Sequence, residues 1–154
     1  MVIDVRRRDK EEASKKTVLC REALEKATIE LRRREDALSA HREEIAGADQ
    51  NLRGELEKGA AASSILSHKV YIEGLRETET VLIQEIESQN LRVIEAENDL
   101  EKALRILTEA SRELSVIEKH KKKWQTAEQK RVTKQEQKLL DEVSSILHER
   151  TKKL

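Results

Sequence analysis

The sequence predicts an all-α protein: a long two-helix antiparallel coiled-coil hairpin whose second helix overhangs the first. Three observations lead there. The 154-residue chain is 40% charged and 1% aromatic, with no Pro or Phe and four Gly. That is a long-helix composition, unlike a domain with one bulky apolar core. Apolar residues recur at alternating steps of four and three along two stretches, which is the a/d seam of a coiled coil. A single Gly-Ala-Ser segment interrupts that repeat. The turn clusters and β-branched runs of a sandwich or an α/β enzyme are missing. The 31 basic and 31 acidic side chains cancel, which disfavours a strongly basic nucleic-acid binder and a disordered chain alike.

Helix 1 is expected over about residues 3–57. Its seam runs Ala13, Thr17, Cys20, Leu24, Ala27, Leu31, Arg34, Leu38, His41, Ile45, Ala48 and Leu52, and nine of these twelve are apolar or small. Cys20, the lone cysteine, can form no internal disulfide and reads as a small apolar seam residue. The tip is expected at residues 58–63, within the segment EKGAAASS at 57–64. Gly59 is the expected C-cap, because glycine accepts the left-handed conformation. Ser63 or Ser64 is the expected N-cap of the next helix. Leu52 and Ile65 are 13 residues apart, one short of two heptads, so the phase slips where the chain turns. One continuous helix is the competing reading.

Helix 2 is expected over about residues 64–150. Its seam runs from Ile65 through Ile72, Leu75, Leu82, Gln89, Ala103 and Leu114 to Ile117, Lys121 and Trp124. Of the eighteen positions in this frame, fourteen are apolar or small. Ile83, Ile94, Leu104 and Ile106 widen its apolar face. At 1.5 Å per residue the helices are roughly 80 and 130 Å long. Folding at Gly59 pairs residue i with about residue 120 − i. Ile45 then meets Leu75, Leu38 meets Leu82, His41 faces Glu79, and Arg34 lies within a heptad step of Gln89. Such polar layers are expected to fix the register. Helix 1 runs out when helix 2 reaches about residue 118, leaving 119–154 as an unpaired overhang. There the character changes. Residues 119–138 hold eight Lys/Arg against two Glu, and the apolar cluster Leu139, Leu140, Val143, Ile146 and Leu147 follows on one helical face.

No catalytic, cofactor-binding or metal-binding residues are expected. His41, His68, His120 and His148 lie far apart, one cysteine cannot build a thiolate zinc site, and no Gly-rich phosphate loop exists. No apolar run approaches the ~20 residues that cross a bilayer, and residues 1–16 lack a signal-peptide core. A cytoplasmic protein that is not an enzyme is therefore expected. The basic stretch reads as a solvated face or as a docking segment for an acidic protein surface. Nucleic-acid binding would call for more interleaved aromatics than Trp124 alone. Trp124 itself falls where intrachain partners run out, and tryptophan is enriched at interface hot spots.

Particular stretches carry a resemblance. They are the basic start RRRDKEE at residues 6–12, the tip EKGAAASS at 57–64 followed by KVYIEGL at 69–75, and HKKKWQTAE at 120–128. With the early tip and the long second helix, the whole chain resembles the FliJ/YscO family, the central stalk proteins of flagellar and injectisome type III secretion ATPase complexes. The injectisome branch is the more similar. The cluster Leu139 to Leu147 departs from the family pattern in being more apolar. The resemblance implies a stalk or coupling component that contacts the hexameric export ATPase and the cytoplasmic ring of the export gate, with export chaperones as further partners. It also implies a place in the bacterial cytoplasm, at the cytoplasmic face of the secretion apparatus, with no nucleic acid bound and no membrane insertion. Positions matching the ATPase-facing end are Arg6, Arg7 and Arg8, with Lys121, Lys122, Lys123, Trp124, Lys130 and Arg131. The tip region, residues 63–75, is a second candidate surface. The alternative reading is a coiled-coil chaperone or adaptor unrelated to an ATPase, motivated by Ile83, Ile94 and Ile106.

Overall fold

The computed structural model describes residues 1–154 as two helices, α1 (Val2–Glu57) and α2 (Ala62–Lys152), and no strand. The protein is an all-α helical hairpin. Helix α1 ends where glycine permits it. Gly59 has φ +71°, its N–H donates to the Leu56 carbonyl at 3.2 Å, and the Ala60 N–H donates to the Glu55 carbonyl at 3.0 Å. This pair of bonds is a Schellman motif, which satisfies carbonyls the helix end would leave bare.

The second helix starts earlier than expected, and neither Ser63 nor Ser64 caps it. The Ile65 N–H donates to the Ala61 carbonyl at 3.2 Å, so Ala61 holds the N-cap position and both serines lie inside the first turn. The Schellman motif reverses the chain so tightly that only Ala60 and Ala61 separate Gly59 from the new helix. Alanine caps poorly, so packing sets this boundary over local propensity.

The glycines make opposite predictions. A methyl group built on Gly47, Gly54 or Gly74 meets nothing within 4 Å, and all three lie inside helices. Each Gly→Ala change there should stabilise the protein by about 0.5–1 kcal/mol. Gly59→Ala should destabilise it by about 1–2 kcal/mol, the cost of forcing a side chain into the left-handed region. Thermal unfolding followed by circular dichroism would separate the two groups by the sign of the shift.

Contacts divide the chain into two compact units, residues 14–105 and residues 1–13 with 106–154. In the first, the buried residues are Thr17, Leu38, Ile45, Ala48, Ile72, Gln89 and Ala103. In the second they are Ala13 and Leu114. All of these are positions of the two heptad seams. The other seam positions up to Ile117 are half-buried, free Cys20 among them. Two helices alone cannot enclose a side chain fully, so half-burial is the ordinary state of such a seam.

Within residues 14–105 the polar seam residues do not pair with each other. Four of them, Thr17, Arg34, His41 and Gln89, instead reach a backbone carbonyl of the opposite helix. The Arg34 guanidinium donates to the Glu85 carbonyl at 3.2 Å, and Gln89 Nε2 donates to the Ala27 carbonyl at 2.9 Å. His41 Nε2 donates to the Leu75 carbonyl at 2.6 Å, and Thr17 Oγ1 lies 3.4 Å from the Ala103 carbonyl. The expected His41–Glu79 layer is therefore corrected: Glu79 accepts from Arg42 Nε at 2.9 Å on the seam's rim. A carboxylate turned into the seam would lose its water, and at the rim it keeps water and gains a guanidinium. Elsewhere on α1, hydrogen bonds from Arg33 and Arg34 hold the Glu30 carboxyl down to about 2.

Candidate partner-binding surface

The unit of residues 1–13 and 106–154 carries every candidate site residue. The first turns of α1 lie along α2, with Ala13 and Leu114 each 7% exposed beneath them. Two of the three N-terminal arginines serve that contact. Arg6 Nη1 sits 2.6 Å from a Glu113 carboxylate oxygen and 3.5 Å from Asp9, and Arg7 Nη2 sits 3.6 Å from Glu118. The Arg6–Glu113 pair follows the 120 − i register to within one residue, whereas Arg7 reaches past it to Glu118. Applied to charges as well as to apolar residues, that register reveals the Arg6–Glu113 pair but not the Arg7–Glu118 one. Arg8 is exposed and forms no such bridge.

Past the Arg7–Glu118 pair α2 is bare. From residue 119 onward no side chain is buried, and Glu128 alone is half-buried. Lys121, Lys122 and Lys123 project into solvent, and Trp124 is 67% exposed. Trp124 walls one shallow groove with Gln125, Glu128 and Val132. Around the helix, Lys119, Lys122, Lys123 and Lys130 surround Ala127 in a second groove. The backbone there is one unbroken helix, so these side chains stand at fixed angular intervals without any tertiary support. Arg131 is engaged locally: its Nε lies 3.0 Å from Glu128 Oε2, a second guanidinium nitrogen reaches Oε1, and this pairing lowers the Glu128 pKa. Of the candidate residues, Arg8, Lys121, Lys122, Lys123, Trp124 and Lys130 are thus open to a partner. Arg6, Arg7 and Arg131 are committed within the chain.

The arrangement offers several uncompensated cations beside one large amphipathic ring. It suits an acidic protein surface that can also bury an indole. No group of three or more His, Cys, Asp or Glu is placed to hold a metal ion. The tip region, in the other unit, is a different surface. Leu66, Val70 and Tyr71 are 63%, 61% and 52% exposed there, and the Tyr71 hydroxyl donates to Glu44 at 3.0 Å.

A family model described as YscO-like protein matches residues 1–153. The chain belongs to the YscO-like family. A solved structure of similar fold is that of CT670, a proposed YscO homolog from Chlamydia trachomatis, with a TM-score of 0.83 and 26% identity over 99% of this chain and 94% of that one. No curated protein matches the sequence. As a YscO-like protein, the chain is a type III secretion-associated protein. None of its helices is long and apolar enough to cross a membrane.

Proposed function

We propose that this YscO-like protein is a stalk or coupling component of a bacterial type III secretion system. It carries no chemistry of its own. It contacts the hexameric export ATPase and the cytoplasmic ring of the export gate, at the cytoplasmic face of the apparatus, with export chaperones as further partners. The observation that supports this is the bare segment of α2. Residues 119–138 carry eight Lys/Arg against two Glu, and Trp124 is two-thirds exposed in their midst. Cations draw an acidic partner into register over roughly a Debye length, and burial of the indole then holds it.

Titrating the purified protein with the hexameric ATPase of its own secretion system tests this. Trp124 is the single tryptophan, so its fluorescence reports the site if the ATPase signal is subtracted. One chain per hexamer is expected, with a blue shift as the indole is buried. Changing Lys121, Lys122 and Lys123 together to Glu should weaken binding at least about tenfold, and Trp124→Ala by a similar factor. Binding that ignores both changes, or several chains per hexamer, would refute the reading. Ile94, half exposed in the other unit, supports the second reading, an adaptor that engages partners through its apolar flank. An adaptor binds its partner with no hexamer present.

A further inference from the structure

We propose that residues 136–150 of α2 form a self-association site, which takes the same segment of a second copy in antiparallel orientation about a twofold axis at Val143. This goes beyond the coupling role, which rests on the basic stretch preceding it. Leu139, Leu140, Val143, Ile146 and Leu147 are each 52–66% exposed. In one helix they cannot cover one another. At 100° per residue they all fall within about 60° of the Val143 direction, and they do so symmetrically. Leu139 and Leu147 lie at equal angles on opposite sides, as do Leu140 and Ile146.

The segment reads almost the same from either end. Reversed about Val143, one copy places Val143 on Val143, Leu139 beside Ile146 of the other copy, and Leu140 beside Leu147. The charges follow the same reversal. Glu136 and Arg150 flank the cluster seven residues either side of Val143, both within about 20° of the apolar direction. In the antiparallel pair each Glu136 faces an Arg150, twice by symmetry, as an isologous interface requires. A parallel pair would set Glu136 on Glu136 and Arg150 on Arg150. Charge therefore selects both a second copy as the occupant and its direction.

The five apolar side chains from each copy remove roughly 1,000 Å² in total from water, near the lower limit for a specific interface. The dimer is accordingly weak and reversible, with a dissociation constant on the order of 10–100 µM. The overlap ends before Trp124, so the basic stretch stays outside it.

Sedimentation velocity of the full-length protein between about 5 and 500 µM tests this. A monomer–dimer equilibrium in that range is expected. Val143→Glu sets two carboxylates on the axis and should weaken dimerisation more than tenfold while leaving helicity unchanged. Glu136→Arg and Arg150→Glu should each weaken it severalfold, and the two together should restore it. A monomer throughout would overturn the proposal and leave the cluster to a different partner. A dimer indifferent to Val143→Glu would overturn it by placing self-association elsewhere. Failure of the charge swap to restore the dimer would overturn the antiparallel arrangement. None of these variants touches Lys121 to Trp124, so ATPase binding stands or falls separately.

Discussion

Ile72→Ala should lower the unfolding free energy by about 2–3 kcal/mol, at the lower end of the range for deleting a buried aliphatic side chain. Ile72 is 6% exposed in the seam, and the change removes most of its side chain from between the two helices. The lower end applies because a two-helix seam can close partly over the gap, where a rigid multilayer core cannot. Ile94→Ala is the control. At 51% exposure it should cost no more than about 0.5 kcal/mol. Urea unfolding read by circular dichroism measures both. Equal losses at the two positions would show that the seam does not carry the stability assigned to it.

Gln89→Leu should stabilise the protein by about 1–2 kcal/mol, which for a chain of this size raises the melting temperature by several degrees. Gln89 is 3% exposed. Its Nε2 bonds to the Ala27 carbonyl, but its Oε1 is buried with no partner. A buried unsatisfied acceptor costs about 1–3 kcal/mol, more than one neutral hydrogen bond returns. Leucine removes that cost and adds apolar burial. The bonds from Thr17, Arg34 and His41 to the opposite backbone remain, so the helix register should hold. A melting temperature that falls would mean that Oε1 is satisfied by water, or that the bond to Ala27 is worth more than assigned.

The register was legible at the level of whole turns. Pairing residue i with about 120 − i follows from Gly59 and the two seam frames alone, and Arg34 with Glu85, Arg42 with Glu79 and Arg6 with Glu113 obey it closely. The individual partners were not legible. His41 was expected to meet Glu79, yet it bonds the Leu75 carbonyl. A sequence shows which side chains share a layer, but not whether each will prefer a side chain or a backbone carbonyl across it. The start of α2 was misplaced for a related reason. Ser63 and Ser64 are the better capping residues, but the reversal at Gly59 leaves Ala61 in the capping position. At the candidate site, the exposure of Trp124 followed from counting residues, because α1 runs out before reaching it. The commitment of Arg6 to Glu113 follows from the same count, but that of Arg7 to Glu118, five residues off the register, does not.

By itself, the sequence determined the helices, the seam, the turn at Gly59 and the point near residue 118 where pairing stops. All of these follow from periodicity and from glycine's backbone freedom, which are local properties. Tertiary structure decided which polar seam atoms find partners, which arginines remain free for another protein, and where the second helix begins. Those outcomes depend on side-chain reach and on desolvation between two helices, and neither is set until both backbones are in place.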